Sequence, residues 1–194
     1  MDELAHAANQ DPVEFRLRHL EHDPRGHRVV ELAAEKAGWD KPLTRGQGRG
    51  IATFFSHGSY VSEVAEISVD KNTGVIQVHR VVCVVDCGPV INPNTLEAQM
   101  SGALTMGLSA AFMEKVQFAN GGVKSANYSD YPLLRMSQAP DVEVHMVDSD
   151  HEIGGGGEPS LPPIAPAVAN ALFAATGTRI RRLPMTPESV MAAL

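Results

Sequence analysis

VVCVVDCGPVINPNTLEAQMSGALTMGLSAAF, residues 81–112, decides the fold. Its opening VVCVVD is a continuous apolar run rather than an alternating one, so a strand here is buried on both faces. The chain then turns through Asp86-Cys87-Gly88-Pro89. Asn94 and Glu97 stand at capping-box spacing for a long helix, TLEAQMSGALTMGLSAAFME. Gly102, Ala103, Gly107, Ala110 and Ala111 give that helix a small-residue surface. A glycine inside a helix costs about 1 kcal/mol relative to Ala. Such a cost points to close approach by another backbone or a ligand, or to tight helix–sheet packing. Gln99 lies in the first turns, where its primary amide can both donate and accept.

Upstream of this passage, Lys71-Asn72-Thr73-Gly74 is a turn signal, with Gly74 suited to the left-handed position of a bulged hairpin. Before it, GIATFFSHG and YVSEVAEISVD are rich in β-branched and aromatic residues. Ala65, Ile67 and Val69 alternate with Glu66 and Ser68, a strand pattern. Residues 1–40 read as helical. Asp2 stands as an N-cap for ELAHAANQ, Asp11-Pro12 opens VEFRLRHL, and a third helix from His27 to Ala37 stops at Gly38. Downstream, KVQFA and DVEVHMV are strands, Asn120-Gly121-Gly122 is a turn, and Tyr128 to Pro132 is a loop. The pattern predicts an α+β fold of N-terminal helices, a mixed sheet, a long small-residue helix and an Ala-rich C-terminal helix. It forms one unit over residues 1–194, with a helical segment at 1–40 and the α+β segment at 47–194.

Composition bounds the function. The 194 residues are 43% hydrophobic and 20% charged, enough to bury a substantial core. The net charge of −7 and the lack of a basic patch with interleaved aromatics disfavour nucleic acid. Arg179, Arg181 and Arg182 read as a solvated face. No stretch is long and apolar enough for a membrane span, and the N-terminus does not read as a signal peptide, so cytoplasm is the expected location. Cys83 and Cys87, the only cysteines, make a weak metal site, and Cys83 in its apolar strand reads as a buried thiol. The histidines are scattered, and no protein-ligated metal is assigned.

The candidate chemistry lies in Gly154-Gly155-Gly156-Gly157-Glu158-Pro159. Glycines let the backbone approach a ligand without a Cβ in the way. Pro159 holds Glu158 extended. SLPPIAPAVANALFAATG then reads as a helix, with Ile164, Val168, Leu172 and Ala175 in one apolar stripe, Pro166 in the first turn and Gly177 as the stop. A plain flexible loop carries the same hexapeptide. A phosphate cradle fits poorly, because the run lacks the Lys-Ser/Thr of a P-loop and Glu158 would repel the phosphate.

Together, MDELAHAANQDPVEFRLRHL, residues 81–112, YSDYPLLRM and GGGGEPSLPPIAPAVANALFAATGTRIRRLP resemble the xanthine dehydrogenase/aldehyde oxidase family. They match the C-terminal part of its molybdenum-binding large subunit, of the isoquinoline 1-oxidoreductase and nicotinate dehydrogenase type. The resemblance implies a molybdopterin cofactor, in this branch the cytosine dinucleotide, holding Mo without side-chain ligands. It places the catalytic base on Glu158, taking a proton as oxygen attacks an electron-poor carbon of an N-heterocycle or an aldehyde. It places a pterin-contacting amide on Gln99 and the loop beside the metal on Gly154, Gly155, Gly156 and Gly157. Electrons would leave to iron–sulfur clusters on a small [2Fe-2S] subunit.

Two departures stand out. Relatives commonly carry Ala or Val where Gly156 stands, so a floppier loop is expected here. The upstream glycine-rich and arginine-containing segments of the large subunit are absent. The chain therefore reads as the C-terminal, base-bearing portion of a longer or split subunit, needing the upstream portion as a partner and inactive alone. The competing expectation is a non-catalytic fragment or a module that binds pterin or a partner chain.

Overall fold

The computed structural model describes residues 1–194. The N-terminal segment forms helices α1 (Asp2–Ala7), α2 (Pro12–His19) and α3 (Pro24–Ala37). Asp11 caps α2 by accepting from the N–H groups of Val13 at 2.8 Å and Glu14 at 3.1 Å. Asp23 caps α3 through Gly26 N–H at 3.1 Å, so this helix starts at Pro24, earlier than the His27 start expected from sequence. Gly38 ends it at φ 62°, in the left-handed region. Asp2 is not the expected cap. Met1 holds that position, and the Asp2 carboxylate lies 2.7 Å from Arg179 Nη1. Arg179 also stacks on the Phe173 ring at 3.4 Å, so it is anchored rather than solvated.

Strands β1 (Gln47–Ser56), β2 (Ser59–Val69) and β3 (Ile76–Asp86) form an antiparallel meander. Helix α4 (Pro93–Phe112) follows, then a short hairpin of β4 (Phe118–Ala119) and β5 (Gly122–Val123). Strand β6 (Asp141–Met146) returns parallel to β3, giving a mixed sheet in the order β1-β2-β3-β6. Helices α5 (Leu161–Thr176) and α6 (Pro187–Met191) end the chain.

The sheet is covered on both faces. Ile51, Val64, Val82 and Val84 pack with Val29, Val30 and Ala33 of α3. Val61, Ala65, Val81, Cys83 and Val85 pack with Met100, Leu104 and Leu108 of α4 and with Ile164, Val168 and Leu172 of α5. Val81 to Val85 therefore bury alternate side chains in two different cores, which is why this run cannot alternate with polar residues. Helix α5 lies almost on the backbone of β1. A Cβ at Gly50 would stand 2.2 Å from Ala171 N and 2.3 Å from Ala167 O. Gly107 serves the same purpose between α4 and α5, where a Cβ would come within 2.7 Å of Leu161 O. Gly102, by contrast, faces open space.

Three local expectations are corrected. The cap of α4 is Asn92, whose Oδ1 accepts from Thr95 N–H at 3.2 Å, not Asn94. Pro93 selects it, since proline fits the first helical position and Asn92 before it is extended. Pro166 lies inside α5 rather than in its first turn, which Pro162 and Pro163 occupy. KVQFA is paired only at Phe118 and Ala119.

One core side chain is anomalous. Glu63 in β2 is fully buried between Ala52 of β1 and Cys83 of β3. The Cys83 thiol lies beside it, yet neither carboxyl oxygen has a partner with hydrogen-bond geometry. Burial pushes its pKa well above the ordinary 4.5, and burial likewise raises that of Cys83. A carboxyl with a raised folded-state pKa contributes its stability at low pH and loses it as pH rises from the unfolded value towards the folded one. Above pH 4.5 the folded protein should lose stability as pH rises on account of Glu63. Glu63→Gln should flatten this dependence and hold a higher urea midpoint at pH 8 than the parent, with the gap closing towards pH 4. Parallel pH profiles of the two midpoints would show that Glu63 does not titrate in this range.

Candidate active site

The glycine run is held between three elements. Gly154 N–H donates to Cys87 O at 2.8 Å, just beyond β3, and Gly155 N–H donates to His57 O at 2.7 Å, in the turn between β1 and β2. The buried Ser59 hydroxyl at the start of β2 donates to Gly155 O at 2.7 Å. A Cβ on Gly154 would stand 2.3 Å from Ser59 Oγ and 2.8 Å from Gly58 C. A Cβ on Gly155 would meet His57 Cβ at 2.8 Å, and one on Gly156 would meet Leu96 Cδ1 at 2.9 Å. Close packing within the chain thus accounts for Gly154 and Gly155, whereas Gly156 faces only a movable leucine methyl. The hydrogen bonds tie the run at Gly154 and Gly155.

The far end is tied as well. Ser160 is buried, and its hydroxyl donates to Met100 O of α4 at 2.7 Å. Leu161 N–H, opening α5, donates to Glu158 O at 2.9 Å. Glu158 is exposed on a short span between the Gly155 and Ser160 anchors. Its backbone is fixed while its carboxyl faces outward. Gln99 is also exposed, and its Nε2 lies 3.5 Å from where a Gly157 Cβ would be. The structure therefore brings Gln99 of α4 against the residue next to Glu158.

A cleft of about 240 Å³ runs along this edge, between the start of α4 and the glycine run. Pro89, Ile91, Thr95, Gln99, Gly154 and Gly156 are among its walls. Ile91 is 82% exposed there, an apolar side chain at the rim without a neighbour to cover it. No cluster of His, Cys, Asp or Glu in the chain could hold a metal ion.

A buried ion pair that sequence reading misses supports the site. Asp86, at the end of β3, is 1% exposed. Arg25 of α3 grips it with a two-pronged contact, Nε to Oδ2 and Nη2 to Oδ1, both at 3.0 Å. Ser149 Oγ donates to Oδ1 at 2.7 Å and Gly88 N–H at 3.1 Å. Burial opposes the Asp86 charge, but the Arg25, Ser149 and Gly88 donors outweigh it and hold the pKa below the ordinary carboxylate value. The sequence signal was Asp86 itself, a charged residue closing a doubly buried strand.

Residues 1–140 match the family model described as a molybdopterin cofactor-binding domain. The chain belongs to this family. Among its relatives, the beta subunit of isoquinoline 1-oxidoreductase from Brevundimonas diminuta is 41% identical over 96% of the chain and 24% of its own length. A nicotinate dehydrogenase subunit of Pseudomonas putida is 39% identical over 100% of the chain and 18% of its own length. The crystal structure of quinoline 2-oxidoreductase from Pseudomonas putida 86 superposes with a TM-score of 0.65 over 70% of the chain and 18% of that structure, at 24% identity. That likeness concerns the fold. The chain thus spans a quarter or less of the length of these relatives.

The packing of the glycine run gives a direct check. Gly154→Ala places a methyl group against Ser59 and Gly58, and overpacking of this kind typically costs about 1–3 kcal/mol. A lowered denaturation midpoint, with shifted Ser59 and Gly155 resonances, is the expected outcome. An unchanged midpoint would show that the loop is free to move away.

Proposed function

We propose that this chain carries the general base of a molybdenum hydroxylase, with Glu158 as the base and Gln99 and the glycine run beside the cofactor. The observation that carries the reading is the juxtaposition of an exposed carboxyl, on a loop anchored at both ends, with the Gln99 amide across the Gly157 backbone. A catalytic base needs a fixed position and access to its proton donor, and this arrangement supplies both.

The residues fit the cofactor that the family binds. Gln99 can donate to and accept from the edge of a heterocycle. The cleft beside Gln99, with Ile91 on its rim, leaves room for a flat ring system. A molybdenum carried by its own organic ligand asks for no cluster of side-chain ligands. We assign the cytosine dinucleotide form, following the resemblance to isoquinoline- and nicotinate-type subunits.

In the proposed reaction, water supplies an oxygen to an electron-poor carbon of an N-heterocycle or an aldehyde as that carbon's C–H bond breaks, so that R–H and water give R–OH, two electrons and two protons. When bound, molybdenum supplies the oxidising centre. The Glu158 carboxylate accepts the proton that the attacking oxygen loses, while Gln99 holds the ring edge in register with it. The electrons pass to iron–sulfur clusters on a small partner subunit. We further propose that residues 1–194 act as one unit and that an upstream portion of the large subunit completes the pocket.

The test is to produce the chain together with an upstream large-subunit portion and an iron–sulfur subunit, then measure bound Mo and dye-coupled turnover of N-heterocycles and aldehydes. Glu158→Gln should lower kcat by about 10²–10⁴ with Mo content unchanged. Wild-type turnover in this variant would reject Glu158 as the base.

A further inference from the structure

Arg25 does more than pair with a carboxylate. Besides its two contacts to the Asp86 carboxylate, Nη2 donates to Asp86 O at 3.0 Å and to Gly58 O at 3.1 Å. One guanidinium therefore joins two backbone segments that are far apart in sequence: the turn between β1 and β2, and the end of β3. The residues flanking those contacts are the ones that hold the glycine run. His57, next to Gly58, accepts from Gly155, and Cys87, next to Asp86, accepts from Gly154. Gly88, which Asp86 also holds, packs where a Cβ would lie 2.6 Å from Glu152 O, on the approach to the run. The Tyr60 ring lies 5.4 Å from the same guanidinium, and its hydroxyl donates to Asp23, the cap of α3.

We propose that Arg25 is a positioning residue: by clamping Gly58 to Asp86 it fixes the two carbonyls on which Gly154 and Gly155 hang, and so sets where Glu158 stands. The inference rests on the reading of Glu158 as the base. It gives the N-terminal helical segment a part in the site through α3. Nη2 reaches both segments while Nε holds the second carboxylate oxygen. A lysine ammonium has no counterpart of that Nε contact and no planar group to aim the remaining donors, so it cannot reproduce the clamp. A role confined to docking α3 on the sheet would make a different prediction, since losing it would loosen the whole α3 face together with its strands.

The experiment is residue-resolved amide exchange on the full chain, comparing the parent with Arg25→Lys and with Ser149→Ala, a milder variant that removes one donor from Asp86. In Arg25→Lys the Gly154 and Gly155 amides should exchange at least about tenfold faster, as expected for losing a charge-assisted hydrogen bond. The amides of the β2–β3 ladder should keep their parent rates. Ser149→Ala should move the same two amides in the same direction by a smaller factor. Unchanged Gly154 and Gly155 exchange in both variants overturns the proposal. Equal acceleration of the ladder overturns it too, because Arg25 would then act on global stability. In the assembled enzyme Arg25→Lys should lower kcat with little change in KM, and unchanged kcat where Glu158→Gln is inactive also overturns it. Full activity of Glu158→Gln would instead reject the base, a result that leaves the exchange measurement to decide the clamp separately.

Discussion

The architecture depends on β3 having no solvent face. Val81 to Val85 are buried on both sides, so every layer of the molecule is measured from this strand. Helix α3 must cover one side and α4 with α5 the other, or a row of valines meets water at about 25 cal/mol for each Å² exposed. The close seating of α5 on β1 follows from the same demand, since the strand beside β2 has to bring its helix down without intervening side chains. Gly48 and Gly50 make that approach possible, and the alanines of α5 match them. The end of β3 then becomes the point where both layers and the site meet.

That convergence explains why a carboxylate can be buried at Asp86. A charge at the end of a doubly covered strand is stable only with donors converging on it. Here α3 sends two, and the loop after β6 and the chain just beyond Asp86 send one each. The same residue that satisfies the buried charge also locks the backbone from which the glycine run is suspended. Structural and functional demands are met by one cluster, and Gly154 and Gly155 are glycines because their neighbours leave no room for a side chain.

Much of this was legible in the sequence where the signal is local. Asp11-Pro12, Gly38 and the turn at Gly74 act through their own backbone, and the double burial of β3 follows from its composition. Glu158 and Gln99 were singled out by motif, and the fold brings their neighbourhoods together. Long-range pairing was not legible. Arg25 and Asp86 lie 61 residues apart, and nothing near either one names the other. Arg179 looked like one of three surface charges until the fold put Asp2 and Phe173 against it. Glu63 could have been found. It shares strand parity with Val61, Ala65 and Ile67, so the alternation that marked Ala65 and Ile67 as inward already placed this glutamate in the core. Asn92 was also within reach, since Pro93 after it marks the first helical position.

The contact between Arg179 and Asp2 joins residues 177 positions apart. On a ribosome, α1 is made 177 residues before its partner. A six-residue helix is too short to persist alone in water, so α1 stays unfolded until the C-terminal segment arrives to receive it. The parallel pairing of β6 with β3 imposes a similar wait on the sheet. During synthesis the apolar strands β1 to β3 therefore stand without the α4 and α5 cover they require until those helices have been made.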